Sequence, residues 1–300
     1  MTHDVRKLRR NENISATLML SPAVLLLVIT SVYPFFWLFR YVLYDYNGFV
    51  AYFTGTYNIK RAFTDAVFWK SVLHTFEYAI GKLILIIPIS LGLAVFISRN
   101  LPGSNTFRII FFLPTVISAS VYSLIFTFIF AVFRGPLNTV LEAMNLITRP
   151  IDWLGDPKWV MKSIIIVAVW GGLGNYMIYF ISGLSSISEE IYESCMIDGA
   201  NGTQTFFKIP LPMLSPILKV ILLLAITTAF KDYQSILVLT NGGPDGRSHV
   251  MFSYIYNLIF AAFSSPQIGY ATVLSVLAAL IIGVITAGYL YLARKLDDVF

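Results

Sequence analysis

Cysteine is almost missing from this chain of 300 residues: Cys195 is the only one, so no internal disulfide can form. Histidine is nearly as scarce. His3, His74 and His249 lie far apart, and none falls into a metal-ligand spacing. Charged residues make up only 12% of the chain, about half the ~25% usual for soluble domains. There is no long basic tract, which argues against a nucleic-acid partner. No Gly-x-x-x-x-Gly-Lys-Ser/Thr loop occurs, and Gly81-Lys82 is a bare dipeptide inside an apolar run, so ATP must be bound elsewhere if it is used. An intramembrane hydrolase would need a His-Glu-x-x-His or Gly-x-Ser-Gly segment. Gly183-Leu184-Ser185-Ser186 is neither.

Apolar residues dominate what is present, at 57% of the chain, with a mean hydropathy of +0.75. A spanning helix needs about 20 mostly apolar residues. Six stretches qualify: about Leu18 to Phe39, Val72 to Ile97, Ile109 to Phe133, Val160 to Ile181, Ile217 to Leu239 and Tyr270 to Leu292. They predict an all-α polytopic membrane protein in which residues 1–300 form one transmembrane domain. The first stretch is too long for a signal-peptide core and has no small-x-small cleavage site, so it is expected to be retained. Pro22, Pro34, Pro88 and Pro114 sit inside or at the edges of spans and predict kinks.

Arg6, Lys7, Arg9 and Arg10 precede the first span and place the N-terminus in the cytoplasm by the positive-inside rule. Six spans return the C-terminus, with Arg294 and Lys295, to the same side, and Arg99 and Arg108 mark a short inner connection. Lys60, Arg61, Lys70, Arg149, Lys158 and Lys162 fall in longer outer connections, so the rule is not obeyed cleanly. The N-terminal cluster carries the orientation. It puts the connections near 45–70, 134–159 and 240–269 outside, and residues 183–216 in the cytoplasm.

That cytoplasmic loop is polar and rich in turn residues. Ser186 or Ser188 is placed to cap a helix whose first turn carries Glu189 and Glu190, both favourable at the positive end of a helix dipole. Ile191, Tyr192, Cys195 and Met196 share one face at helical spacing, with Glu193 off it. Gly199 and Gly202 are expected to end the helix, Asn201 to add a turn, and a second helical stretch to run through Phe206 and Phe207. Pro210, Pro212 and Pro216 then break and restart the chain into the fifth span. An amphipathic helix lying on lipid is one reading. An acid-bearing helix with an apolar stripe suits a groove on a soluble partner better.

In this loop the chain resembles the inner-membrane permease subunits of binding-protein-dependent ABC importers. Their signature is Glu-Ala-Ala, two residues, Asp-Gly-Ala, five residues, Phe, two residues, Ile, one residue, Leu-Pro, one residue, Leu, one residue, Pro. Glu193, Asp198, Gly199, Ala200, Phe206, Ile209, Leu211, Pro212, Leu214 and Pro216 match at every interval, with Ser194 and Cys195 in place of the two alanines. Leu113-Pro114, Gly135-Pro136-Leu137-Asn138, Trp170 through Leu184 and Phe230-Lys231-Asp232-Tyr233 look like the carbohydrate branch. Thr240-Asn241-Gly242-Gly243-Pro244 looks like the maltose- and glycerol-phosphate-type first permease subunit.

The resemblance implies a type I importer permease in a bacterial inner membrane. Its expected partners are a second permease subunit, two ATP-binding cassette subunits that hold ATP and Mg, and a solute-binding protein. It also implies that residues 183–216 form the coupling helices. Within them Glu193 and Asp198 make polar contacts, Gly199 permits the bend, and Phe206 and Leu211 pack. Pro212 and Pro216 are equally well read as helix initiators. This chain itself is expected to bind no cofactor and to catalyse nothing.

For the substrate path the candidates are Trp170, Asn175, Tyr176, Lys231, Asp232, Tyr233 and Gln234. Intramembrane ionisable groups usually face a bundle interior or a water-filled cavity. Lys231 and Asp232 therefore either line a route or pair locally to fix helix packing. Glu77 and Lys82 are expected to snorkel towards the outer interface. A secondary transporter or channel is the competing function. It would call for a carboxylate relay or inverted repeats, and neither is evident. Oligosaccharides, monosaccharides, polyols, sugar phosphates and acidic sugars all fit the motifs.

Overall fold

The computed structural model describes residues 2–98, 103–261 and 265–297, so Arg99 lies outside the described residues. Its contacts divide the chain into two compact units.

The first unit holds residues 1–64 and 258–276. It opens with α1 (Thr2–Leu27), a π-helical turn over Val28–Val32, α2 (Tyr33–Phe39) and a 3₁₀ turn over Arg40–Leu43. Residues 15–43 form an apolar span none of which is buried. Pro22 is carried inside α1, and Pro34 follows the π-helical turn directly in a continuous helical run, where it removes one ladder donor. A small antiparallel hairpin follows, β1 (Tyr44–Tyr46) paired with β2 (Ala51–Phe53), where helical periodicity alone gave no strand. The Asn47 side chain closes its turn by accepting from the N–H groups of Phe49 and Val50. Helix α3 (Tyr57–Thr64) ties back through Asn58, whose amide donates to the Tyr44 carbonyl at 2.9 Å. Arg61 donates to Gln267 at 2.8 Å and lies 3.8 Å from the Tyr270 ring centroid.

The second unit holds residues 65–257 and 277–300. Its first long helix is α4 (Ala66–Ile97), capped by Asp65, whose carboxylate accepts from the N–H groups of Val67 and Phe68. Then come α5 (Ser104–Val116) and α6 (Ala119–Ile129), α7 (Pro136–Ala143), and α8 (Val160–Leu184). The loop elements are α9 (Glu189–Ile197), α10 (Gly202–Lys208) and α11 (Pro210–Met213). The chain then forms α12 (Ser215–Lys231), α13 (Gln234–Leu239), α14 (Met251–Phe260) and α15 (Ile268–Asp297). The last two helices run through both units.

Helix α8 is the core of this unit. Small residues let its neighbours approach, as membrane helices require. A Cβ on Gly81 of α4 would come within 2.6 Å of Ile165, and one on Gly174 of α8 within 2.7 Å of the Phe112 backbone in α5. Ser90 donates across α4 and α8 to the Leu173 carbonyl at 3.3 Å. Tyr78, Ile86, Ile164, Met177, Phe180, Ile221 and Ile236 fill the interior. Between α6 and α8 the chain is organised by Asn138. Its amide donates to the carbonyls of Ala131 and Ile151, and its oxygen accepts from Ile151 N–H and Trp153 Nε1.

Two expected spans are not single rods. The stretch expected from Ile109 to Phe133 is the pair α5 and α6, bent by 100°. Ile117 and Ser118 are both extended between them, and the Ile117 N–H reaches only the Pro114 carbonyl at 3.3 Å. Proline removes one ladder donor and its ring crowds the preceding turn, so the helix ends soon after Pro114. The fifth span breaks between α12 and α13, where Asp232 is extended.

Candidate functional site

The break in the fifth span opens onto a cavity of about 460 Å³. That volume falls within the ~300–1,000 Å³ of small-molecule sites. Lys231, Asp232, Tyr233 and Gln234 line it from the break, and Thr227 and Thr228 from the last turn of α12. Facing them are Lys82 of α4, Thr115 of α5, Tyr122 of α6, and Gly171, Gly172 and Asn175 of α8. The two glycines let neighbouring side chains close in on α8: a Cβ on Gly171 would meet the Tyr122 ring at 2.6 Å, and one on Gly172 would meet Ile86 at 2.9 Å.

Asp232 is held by a buried network. Its Oδ2 accepts from the Tyr78 hydroxyl and from the Lys82 ammonium, the latter at 2.8 Å. Lys82 Nζ also lies 3.3 Å from the Tyr78 hydroxyl oxygen, and the two ion-paired side chains are 8% and 15% exposed. Tyr78 and Lys82 are four apart on α4 and therefore share one face. The network anchors a non-helical residue, whose freed backbone needs such neighbours inside a membrane.

This corrects two readings of the charges. Lys82 does not snorkel to an interface; it is buried and paired with Asp232. Asp232 is thereby tied to α4 rather than to the adjacent Lys231, because the extended residue at the break turns its carboxylate across the bundle. Glu77 is also paired, in a two-point contact from Arg247 Nη1 at 2.8 Å and Nη2 at 3.0 Å. Of the residues singled out for the path, Trp170 and Tyr176 are not on the cavity wall. Trp170 packs edge-on against Tyr122 and Phe126, with centroids 6.0 and 5.3 Å away, and Tyr176 is buried. Tyr78, Tyr122, Thr115, Thr227 and Thr228 were missed. Only Tyr78 had a sequence signal, its place one turn before an intramembrane lysine.

The loop over residues 183–216 is a bent pair of short helices. Helix α9 carries Glu189 and Glu190 in its first turn, and Glu193 and Asp198 are exposed. Cys195 is buried, with Ile191 and Tyr192 half-buried beside it. The Ser186 hydroxyl donates back to the Gly183 carbonyl instead of capping α9, and Ser188 offers its main-chain carbonyl to Ile191. Gly199 has φ +76°, and the Ala200 N–H donates to the Cys195 carbonyl at 3.1 Å. That six-to-one bond and a left-handed glycine form a Schellman ending.

Gly202, expected to end α9, instead starts α10, because Asn201 and Gln204 make a reciprocal capping box there. Phe206 is half-buried against the exposed Phe207 at 5.1 Å. Ile209 and Leu211 are half-buried, Pro212 and Pro216 exposed, with Pro216 in the first turn of α12. Leu214 is fully buried, where a Cβ on Gly183 would meet it at 2.7 Å, so it packs the loop onto the end of α8.

Residues 85–298 match the family described as binding-protein-dependent transport system inner membrane component. The chain is 32% identical to the lactose transport system permease protein LacF of Rhizobium radiobacter over 96% of its own length and 97% of LacF. It is 29% identical to the multiple sugar-binding transport system permease protein MsmF of Streptococcus mutans over 90% and 93% of the two chains. Its fold is that of a chain in a bacterial alginate ABC transporter crystallised with an alginate pentasaccharide-bound periplasmic protein. The TM-score is 0.82 at 22% identity, over 97% of each chain.

Proposed function

The chain belongs to the binding-protein-dependent transport system inner membrane component family, and from that premise we propose how it works as a carbohydrate ABC importer permease. The observation that carries the reading is the polar cavity at the break of the fifth span. A discontinuous helix deep in a bundle exposes unsatisfied carbonyls and side chains where a hydrophilic cargo needs them. Lactose and mixed sugars are the cargoes named for LacF and MsmF, and a sugar-sized polar solute is the cargo read here.

In this reading a solute-binding protein delivers the cargo from outside. A second permease subunit completes the path, and two ATPase subunits supply the work. The bent pair α9 and α10 is the handle on the cytoplasmic side. Glu193 and Asp198 are exposed and meet polar groups of an ATPase, while Leu214 and Cys195 hold the handle to the bundle. Pull on α10 is transmitted through α11, whose prolines stiffen the joint, into α12 and so to the break at Asp232. The permease is then a two-state element biased by partners at its two ends.

The test is recovery of the complex through a tag on this chain. We expect ATPase subunits to copurify with the wild-type chain, and Glu193→Lys to reduce their recovery several-fold without reducing insertion of the permease. Undiminished recovery removes Glu193 from the docking surface. Absence of any ATPase from the wild-type complex overturns the coupling reading.

A further inference from the structure

The charges around the cavity do not balance. Lys82, Lys231 and Asp232 all line it. The Asp232 carboxylate is already engaged by Lys82 and by the Tyr78 hydroxyl, so that pair is close to neutral as seen from the cavity. Lys231 is exposed, and among the described residues no carboxylate lies within ion-pair distance of it. A cation in an apolar bundle is costly and is kept there by a partner or a pathway. Here the described residues supply no carboxylate partner, and the cavity supplies the space. The other lining groups that hydrogen-bond, Asn175, Thr228 and Gln234 among them, are neutral and suit sugar hydroxyls.

We propose that the cargo is an acidic sugar carrying a single negative charge on the ring that passes the break, and that Lys231 is the specificity-determining cation that reads it. The proposal rests on the carbohydrate reading above and narrows it. A single ammonium on a flexible stem is a point charge suited to a monoanion. A phosphate monoester carries nearly twice that charge and is better matched by a forked guanidinium or a second free cation, and neither lines the cavity. Carboxylate and sulfonate present the same charge to Lys231, so they are separated by experiment.

The importer, purified through a tag on this chain with its copurifying subunits and reconstituted in nanodiscs, is titrated with two pairs of probes. One pair is trigalacturonic acid and its fully methyl-esterified form. The other is 6-deoxy-6-sulfoglucose and glucose. In at least one pair we expect the charged member to bind about tenfold tighter or more, and the pair that responds identifies the anion. Lys231→Met abolishes that preference while leaving affinity for the neutral member intact, and Lys231→Arg retains it. The preference also shrinks as salt is raised. Neutral and charged probes that bind alike overturn the charge assignment but leave the sugar reading standing, and so does a preference that survives in Lys231→Met. Failure of all four probes to bind overturns the sugar reading of the cavity itself.

Discussion

Asp232 illustrates how much one residue depends on its neighbours. Taken out of water, an ion pair is stabilising only if its geometry and its remaining hydrogen bonds are good. Asp232 meets that condition through Lys82 at 2.8 Å and the Tyr78 hydroxyl. Removing one partner strands the other. Asp232→Asn should therefore destabilise the protein by about 3–5 kcal/mol, the cost of an uncompensated buried charge. The double variant Lys82→Met/Asp232→Leu should recover most of that loss, since no charge is left unpaired. Thermal unfolding of the purified variants in detergent measures both. A double variant no better than Asp232→Asn would mean that the network is not what holds the break. The sequence announced an ionisable pair at positions 231 and 232, but not its partner. Lys82 lies 150 residues away, and no local pattern links the two.

At the scale of elements, close approach and bending are set by glycine and proline. Gly174 has the Phe111 carbonyl and the Phe112 Cα where its Cβ would stand, at 2.6 and 2.7 Å. Backbone cannot rotate away as a side chain can. Gly174→Leu should therefore push α5 from α8 and cost at least the ~1–3 kcal/mol of overpacking, seen as a lowered melting temperature and a smaller folded yield. Gly199 is the opposite case. Nothing lies within 4 Å of a Cβ there, but φ is +76°. Gly199→Val should cost about 1–2 kcal/mol of left-handed strain in a loop outside the spans, so insertion survives while uptake driven by ATP falls. Normal uptake by a well-inserted Gly199→Val protein would remove the bend from the coupling mechanism. The glycine at 199 was legible because a polar turn after an amphipathic stretch has few other interpretations. Gly174 was not, since a glycine inside an apolar run gives no sign of what faces it. The bend between α5 and α6 lay between these cases. Pro114 and Ser118 were visible, but hydropathy runs across them without interruption, and lipid-facing and protein-facing apolar residues look alike.

For the whole molecule the questions are orientation and cover. The span over residues 15–43 is long and apolar enough to cross a membrane and has no buried residue. By the positive-inside rule we propose that the basic residues before it lie on the cytoplasmic side, with the loop over 183–216 inside and the Asn138-centred lobe outside. Asp198 and Thr148 are exposed at these two places. In a Cys195→Ser background, Asp198→Cys should react with a membrane-impermeant maleimide only after the membrane is opened, and Thr148→Cys should react in intact cells. The reverse pattern would invert the topology and end the coupling account.

Length, hydropathy and the spacing from Glu193 to Pro216 by themselves determined the membrane class, the number of candidate spans and the family, because each is a property of consecutive residues. Tertiary structure alone decided that Lys82 pairs with Asp232, that Trp170 and Tyr176 stand off the cavity wall, and that Lys231 has no acid within ion-pair distance among the described residues beside a sugar-sized cavity. The reason is physical. Burial and electrostatic partnership depend on which faces of distant helices meet, and in an apolar chain almost every face is sticky enough to be a candidate.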